Sequence, residues 1–330
     1  MTYTRLSDVH PELFHYTSNE GLFSILKTQY LIATDWRHLN DISELMHFSE
    51  LLPRLFRPEL VRRATEIASE NSEAQQFITL QGGVDTYCAE QAKYIAEKMY
   101  NSLGLNDENE RLLEFYITSF CTPEGAFAEV RNHGLLSQWR YYGQQGGYAL
   151  VFDTAELEHL MKLEHSHWDC RISFGEVGYS SDSPDVLEKR IESLSVLREV
   201  LRKCQFDSSE AFIPLLQPFL DCCIHYKHWA FAEENEVRLV AVLNGPRMLR
   251  EDEERRERKR DCFTNRENRE VPCLNLFEGL EINRACRLPI RKIIVGPGPN
   301  QKQNETKLRN FLQDAGYNIE VTCSHIPIRF

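Results

Sequence analysis

The sequence lacks the patterns that mark several large classes of protein. No apolar run approaches the length of about 20 residues that crosses a bilayer, which argues against a membrane-spanning protein. The N-terminus has no basic start followed by an apolar stretch, so we expect no secretory signal, a cytoplasmic location and no membrane partner. No GxGxxG, Walker, GxSxG or HExxH motif occurs, which disfavours a glycine-rich phosphate loop, a serine hydrolase and a zinc protease.

Positive charge is also scarce. The chain has 38 Lys and Arg against 50 Asp and Glu, for a net charge of -12 at pH 7. This balance disfavours the binding of bare nucleic acid through phosphate contacts alone. Ten cysteines lie at irregular spacing without a CxxC pair, and they predict reduced, mostly buried thiols.

The His and Cys groups do not form the paired spacings of a zinc site, so we predict no metal site. One predicted helix contains the candidate ligands Cys222, Cys223, His225 and His228, and one possible strand contains His165 and His167.

What remains is an ordinary globular composition of 330 residues, 42% hydrophobic and 27% charged. Because no internal repeat and no Gly/Ser-rich or Pro-rich linker divides the chain, we predict a single domain over 1–330. We interpret the polar, helical stretch 57–112 as an insertion or lid. We interpret 245–270 as a charged mobile loop, since its residues 250–260 are all charged and therefore expected to be solvated.

Apolar periodicity predicts an α+β fold, in which mixed sheets of short strands carry flanking helices. Thr17 with Glu20, and Asp41 with Glu44, have capping-box spacing at the starts of two helices. Further helices are predicted over 187–204, 210–226 and 307–314. Strands are predicted over 13–16, 30–33, 114–120, 147–152, 236–243, 292–295 and 319–321.

Polar and aromatic groups crowd the ends of the first two predicted strands. His15, Tyr16 and Thr17 end the first strand, where an imidazole can hydrogen-bond a sugar hydroxyl. The alternative is a core histidine beside an N-cap threonine. A polar stretch from Thr34 to Asp41 ends the second strand, and its Arg37 could pair with a diphosphate. The alternative is a polar loop closed by the capping box.

Two further clusters lie later in the chain. Trp139, Arg140 and Tyr142 offer aromatic faces and a cation, or alternatively an aromatic core edge with a surface arginine. In a strand, Glu234, Glu236 and Arg238 would share one face. Carboxylates so placed can stabilise an oxocarbenium-like centre, although an exposed strand edge with a Glu-Arg pair explains them equally well.

In this order, the clusters resemble a family of bacterial proteins catalogued as a domain of unknown function. Its members have a His-Tyr-Thr strand, a Thr-Asp turn, a Leu-Asn-Asp helix start, a Trp-Arg-x-Tyr-Gly segment and a Phe-x-Glu-Glu-x-Glu-x-Arg strand. The matching segments here are 15–17, 34–35, 39–41 with Glu44, 139–143 and 231–238, and a late Ile-Ile-Val-Gly-Pro at 293–297 also fits.

The layout of that family is similar in turn to the ADP-ribosyltransferase superfamily, whose members cleave NAD at the nicotinamide-ribose bond. The resemblance implies an ADP-ribosyltransferase-like core with helical insertions. It implies that Glu236 holds the ribosyl cation and the ribose 2′-hydroxyl, that Glu234 activates an acceptor, and that His15 orients a ribose.

The same resemblance implies a set of residues that bind NAD. Thr17 would donate to the ligand that His15 contacts, Arg37 or Arg140 would meet the diphosphate, and Tyr142 or Trp139 would stack on nicotinamide. The implied set of cofactor-binding residues is Tyr16, Thr17, Thr34, Arg37, Asn40, Trp139, Arg140 and Tyr142.

We therefore expect an enzyme that consumes NAD as a substrate, either hydrolysing it or modifying a macromolecular acceptor. The resemblance makes a bacterial toxin or anti-phage effector plausible, with a regulatory protein or a nucleic-acid-containing complex as partner. One alternative is a non-catalytic nucleotide-sensing or partner-binding module. A weaker one is a metal-dependent nuclease using Glu234, Glu236 and Asp41.

Overall fold

A computed structural model describes residues 5–39, 44–102, 113–123, 128–142, 146–203, 213–244, 257–266, 269–280 and 288–328. Within them, helices and strands alternate irregularly along the chain, as expected for a mixed fold. None of the described helices is long and apolar enough to cross a membrane. The eight described cysteines are free thiols, six buried and two half-buried, which confirms the expectation for this part of the chain.

Ten strands within the described ranges form one mixed sheet. They are β1 Glu12–Thr17, β2 Leu31–Asp35, β3 Leu113–Cys121, β4 Tyr148–Asp153, β5 Arg171–Glu176, β8 Glu236–Asn244, β9 Cys262–Arg266, β10 Arg269–Leu276, β11 Ile290–Val295 and β12 Glu320–Cys323. The order is β12-β11-β4-β1-β3-β2-β10-β9, and β8 joins β3 to the edge strand β5. Every pair in this sheet is antiparallel except β11 with β12. A separate parallel pair consists of β6 Gly178–Tyr179 and β7 Tyr226–Lys227.

Helices cover both faces of the large sheet. They are α1 Leu6–Val9, α2 Asn19–Thr28, α3 Glu44–Glu70, α4 Ser72–Leu80, α5 Val84–Ser102, α6 Ala128–His133, α7 Leu136–Tyr142, α8 Thr154–His167, α9 Pro184–Arg190, α10 Glu192–Lys203, α11 Ile213–Ile224 and α12 Gln301–Asp314. Alternate strand residues such as Leu13 and Leu239 pack with α2, α8 and α12 on what we call the α2 face. Their neighbours along each strand, such as Val240, pack with α3, α5, α10 and α11 on the opposite side, which we call the α11 face and where α7 also lies.

Several predicted boundaries are wrong for local reasons. The α2 helix is capped by Ser18, whose Oγ accepts a hydrogen bond from the Gly21 N–H at 3.1 Å, so Thr17 belongs to the strand instead. The predicted helix 187–204 is interrupted at Ile191 and forms α9 and α10. The α11 helix ends before 226 because Tyr226 pairs with Gly178. Residues 165 and 167 lie in α8, not in a strand.

Residues 57–102 are helical throughout most of their length, as predicted. Ala92 and Met99 of α5 belong to the same buried cluster as Phe115 and Val242 of the sheet. These contacts make α5 part of the layer that covers the α11 face. The interpretation of 57–112 as an insertion stays a prediction, and residues 103–112 lie outside the described ranges.

The charged run 250–260 is described only from residue 257 onward. Lys259 is buried rather than solvated, because its ammonium contacts the carboxylate of the fully buried Glu164. The predicted mobile loop 245–270 also contains strand β9 and the first residues of β10. Burial of Lys259 depends on α8, which is distant in sequence, so the local run of charges could not reveal it.

Candidate functional site

Glu236 begins strand β8 and is almost fully buried on the α11 face. Two residues further on, Arg238 is on the same face, as the strand period of two predicts. Its Nε donates to Glu236 Oε1 at 2.9 Å and its Nη2 donates to Oε2 at 3.1 Å. The remaining guanidinium nitrogen, Nη1, donates to the Ile224 carbonyl at 2.6 Å. Both charged groups are thus held in a fixed, bidentate geometry.

Lys227 of β7 joins Glu236 to a second carboxylate. Its Nζ donates to Glu236 Oε2 at 3.1 Å and to Glu234 Oε2 at 2.9 Å. The Glu236 N–H donates in turn to the Tyr179 hydroxyl at 2.9 Å. Two carboxylates and two cationic side chains therefore form one network of ion pairs. We call it the Glu236 cluster, and it consists of Lys227, Glu234, Glu236 and Arg238.

The prediction that Glu234 lies in the strand with Glu236 is wrong. Trp229–Glu234 is a 3₁₀ helix, and the His228 imidazole accepts a hydrogen bond from its Ala230 N–H at 3.3 Å. Asn235 then adopts a left-handed conformation with φ 41°, so the strand begins only at Glu236. Lys227, rather than strand register, brings the two carboxylates together.

The two carboxylates of the Glu236 cluster have opposite pKa shifts. Burial acts to raise the pKa of Glu236, but Arg238 and Lys227 outweigh this effect and lower the pKa to about 2. Burial raises the pKa of Glu234, and Lys227 offsets this only in part. The Glu234 side chain is 26% exposed, against 4% for Glu236. The surroundings of Glu236 therefore favour its ionised form, whereas burial of Glu234 acts against its ionised form.

Next to this cluster, β1 separates from β3 after a single paired position, Phe14 with Cys121. There the half-buried His15 bridges the two strands, since its Nδ1 donates to the Ser119 carbonyl at 3.0 Å. Ser119 is exposed in an otherwise largely buried strand, and its side chain is hydrogen-bonded to Glu236. Strand alternation places His15 on the α2 face and Glu236 on the α11 face, and Ser119 contacts both residues.

Tyr16 and Trp139 pack together as part of the core. Trp139 is fully buried and its Nε1 donates to the His133 carbonyl at 2.6 Å, while the Tyr16 hydroxyl accepts from the Leu135 N–H at 2.7 Å. Their rings meet edge to face with centroids 5.0 Å apart, and burial raises the pKa of Tyr16. For Trp139 the alternative of an aromatic core edge is therefore the arrangement observed, and Tyr16 packs with it in the same core.

Tyr142 and Arg140 lie on the same helix but are accessible. Tyr142 is half-buried and stacks on Tyr16 with centroids 6.4 Å apart, and Arg140 is exposed. Helix α7, which carries them, contacts the 3₁₀ helix that carries Glu234. The predicted third and fourth clusters therefore lie on elements that contact one another.

The remaining predicted residues lie away from the Glu236 cluster or have other partners. The buried Thr17 faces Gly21, where an added Cβ would lie 2.1 Å from the threonine hydroxyl. Thr34 is buried between Ile117 and Cys273. Arg37 donates from Nε and Nη2 to the buried Asp35 at 2.9 and 2.7 Å. Asn40 and Asp41 lie outside the described residues.

Sequence reasoning missed Lys227, Tyr179 and Ser119. None of them stands in a recognisable motif, and each reaches Glu236 from a different segment of the chain. A buried ion-pair network of this kind leaves little signal in one sequence, because its members are joined only by tertiary pairing. The one available hint was the pair of adjacent like charges at Glu234 and Glu236, which calls for a compensating cation.

His225, one of the candidate metal ligands in the sequence, borders the Glu236 cluster. It is buried, and its Nδ1 donates to the Asp221 carbonyl at 2.7 Å. Burial lowers its pKa from 6.5 to about 4. The ring therefore stays neutral in the folded protein at pH values where the unfolded chain already binds a proton.

Because the pKa of His225 is lower in the folded protein than in the unfolded chain, we predict a loss of stability on mild acidification. Between about pH 6.5 and pH 4, unfolding takes up a proton at His225, so the free energy of unfolding falls by about 3 kcal/mol over that range. Urea unfolding of wild type and His225→Gln at both ends of the range tests this, because other titrating groups cancel in the comparison. Parallel pH dependences of the two proteins would contradict it.

Comparison with known families finds one domain in the chain. The sequence model described as "Protein of unknown function (DUF2971)" matches residues 138–239, which run from α7 into β8. The matched segment carries Arg140, Tyr142 and all four members of the Glu236 cluster, whereas His15 and Arg37 lie outside it. No curated protein and no solved structure gives a significant match.

Proposed function

We propose that this chain is an NAD-consuming enzyme with an ADP-ribosyltransferase-like core, which cleaves the bond between nicotinamide and ribose. One observation supports this most directly. The Glu236 cluster holds two carboxylates whose pKa values are shifted in opposite directions, that of Glu236 downward by Arg238 and Lys227 and that of Glu234 upward by burial. These opposite pKa shifts suit Glu236 to an electrostatic role and Glu234 to a proton-transfer role.

In the proposed reaction, the C1′–N bond of NAD breaks and its electron pair leaves on the nicotinamide nitrogen. The ribose that remains carries oxocarbenium-like positive charge, which Glu236 stabilises as a fixed anion. The oxygen of water or of a macromolecular acceptor then bonds to C1′, and Glu234 accepts its proton. No redox step or further reactant is required.

Neighbouring groups suit the rest of such a ligand. The accessible ring of Tyr142 offers a stacking face for nicotinamide, and exposed Arg140 on the same helix offers a cation for the diphosphate. Ser119 and His15, at the point where β1 and β3 separate, offer polar groups for a ribose. A role as toxin or anti-phage effector, with a protein or nucleic-acid acceptor, belongs to the same proposal.

A second candidate is a non-catalytic nucleotide-sensing or partner-binding module. It is favoured by the saturation of Glu236, both of whose oxygens are engaged by Arg238 and Lys227. In that case the cluster stabilises the local structure and the ligand binds beside it unchanged. The weaker nuclease alternative needs a metal on Glu236, where these two cations already lie.

The deciding experiment follows nicotinamide release from NAD by wild type and Glu234→Gln, with Glu233→Gln as the matched control. Glu233 is an exposed neighbour on the same 3₁₀ helix, so its substitution should leave the rate unchanged. Loss of the proton acceptor should lower the rate by about 10²–10⁴-fold, while NAD affinity in calorimetry stays within about threefold.

Glu236→Gln serves as a second variant, to be interpreted only after its unfolding free energy is measured. NAD binding by wild type without any nicotinamide release, with or without added protein and nucleic-acid acceptors, would overturn the enzyme in favour of the sensing module. Turnover that disappears in EDTA would instead favour metal-dependent chemistry.

A further inference from the structure

Two cysteines face one another across strands β9 and β10 of the large sheet. Cys262 begins β9, and its register partner in β10 is Cys273. Residues directly opposite one another on antiparallel strands have side chains on the same face of the sheet and Cα atoms about 4.5–5.5 Å apart. A disulfide needs Cα atoms about 4.4–6.8 Å apart. The backbone therefore holds these two residues at a separation that a disulfide can bridge.

The Cys262 sulfur is directed toward β10. Its thiol donates to the Cys273 carbonyl at 3.3 Å and to Asn275 Oδ1, also at 3.3 Å. The Asn275 amide is itself held in place, since its Nδ2 donates to the Glu278 carboxylate at 2.9 Å. Burial and Glu278 raise the pKa of Tyr30, and the thiols of both cysteines add a smaller increase, so the two sulfurs lie near one hydroxyl.

The two thiols differ in their access to solvent. Cys262 is half-buried, whereas Cys273 is 1% exposed. A dissolved oxidant therefore reaches Cys262 first, and Cys273 can react only with a group already inside the sheet. Of the eight described cysteines, Cys323 is the other half-buried one, but its register partner is Val295 and burial raises the pKa of its thiol to about 11. Cys323 thus provides an internal comparison.

The position of β9 in the sheet allows the small movement that the bond requires. Opposed Cβ atoms lie about 4.5–5.5 Å apart in a sheet and about 3.5–4.5 Å apart in a disulfide, so they must approach by about 1 Å. Within the described ranges β9 pairs with β10 alone, and it can shift without breaking a second ladder. Cys273 is the fixed partner, because β10 is also paired with β2, where Thr34 lies opposite it.

We propose that Cys262 and Cys273 form a redox modification site, which closes to a disulfide when a peroxide oxidises Cys262 and reopens with a thiol reductant. The Cys262 thiolate attacks one peroxide oxygen, the O–O bond breaks, and the sulfur becomes a sulfenic acid. The Cys273 thiolate then attacks that sulfur, so that the S–S bond forms and the S–O bond breaks. Each departing hydroxide takes up the proton that a thiol lost. Two thiols are thus oxidised while one hydrogen peroxide is reduced to two waters, independently of NAD cleavage.

The test treats the reduced, folded full-length protein with hydrogen peroxide, blocks the remaining thiols with iodoacetamide in denaturant, and maps disulfides by mass spectrometry. Trypsin separates the two cysteines into peptides 261–266 and 270–284. We expect these peptides to be linked at least about tenfold more often than any other pair, and dithiothreitol to release them. Oxidation in urea should abolish this preference, because strand register no longer holds the thiols together.

Single serine variants test the order of the two steps. In Cys273→Ser, the sulfenic acid at Cys262 has no second thiol to resolve it, so we expect dimedone to label Cys262. In Cys262→Ser, we expect the buried Cys273 to stay unlabelled and to remain a thiol. The matched control is Cys323→Ser, which should form the disulfide to the same extent as wild type.

The other outcomes overturn the proposal in distinct ways, and wild-type mapping alone decides most of them. A disulfide from Cys262 to any other cysteine, or between two copies of the chain, would exclude the pair. Overoxidation of Cys262 without a disulfide would mean that the sheet keeps the thiols apart. Dimedone labelling of Cys273 in Cys262→Ser would reverse the proposed order, and unchanged thiols at both positions would exclude the site.

Discussion

Replacing Arg238 by methionine is expected to lower the free energy of unfolding by about 3–5 kcal/mol. The guanidinium is 2% exposed and makes two of its hydrogen bonds to Glu236, which is 4% exposed. Methionine fills much of the same volume but cannot donate, so Glu236 keeps Lys227 and Ser119 as its partners among the described residues. The dominant cost is a buried carboxylate left without its main counter-charge.

A double-mutant cycle separates this cost from a packing effect. Arg238→Met, Glu236→Gln and the double variant are unfolded in urea at about pH 7, and the coupling energy is calculated from the three losses. Because the double variant leaves neither charge unpaired, we expect it to be at least about 2 kcal/mol more stable than Arg238→Met alone. Additive losses would mean that the Arg238 side chain contributes by packing only.

Replacing Lys259 by methionine is expected to destabilise the protein by a similar amount, about 3–5 kcal/mol at neutral pH. Lys259 is the counter-charge of Glu164, which is fully buried and, among the residues that the structure describes, also accepts from the Phe277 N–H at 3.1 Å. Its ammonium also lies 5.4 Å from the ring centroid of Trp168. The pair connects the segment after residue 256 to helix α8.

The pH dependence of the stability loss in Lys259→Met shows whether the unpaired Glu164 carboxylate causes it. Burial already raises the pKa of Glu164, and removal of Lys259 should raise it further. Since a raised carboxyl pKa favours the folded state once the group is protonated, the loss should shrink as pH falls from about 7 to about 5. Urea unfolding of Lys259→Met at both pH values measures this, with Lys259→Met/Glu164→Gln as control. An equal loss at both values would contradict it.

The core strands could be predicted from sequence because their residues alternate or form short apolar runs. The predictions over 114–120, 147–152 and 236–243 correspond to β3, β4 and β8 within one or two residues. Helix caps were harder, since Thr17 and Ser18 are both good caps and only the length of β1 decides between them. Thr17 continues the pairing with β4, so the cap falls on Ser18.

The candidate site was predictable only in part. Glu236 and Arg238 share a face because the strand period is two, and this spacing is visible in sequence. The aromatic residues of 139–142 could be recognised as a group, but sequence could not show that Trp139 is enclosed by the core while Arg140 is exposed. Burial of a helix face depends on what packs against it, and the partner here is Tyr16 of β1.

The mixed class of fold, the positions of the main strands and the two acids and arginine near residue 236 can be recognised without coordinates. These follow from local periodicity and residue chemistry, which act over a few neighbouring positions. Long-range packing, in contrast, joins Lys227 to the two acids, buries Lys259 against Glu164, and leaves β5 paired on one side within the described part of the chain. Each of these depends on segments far apart in the chain, and their proximity is set by the order of strands and not by any local pattern.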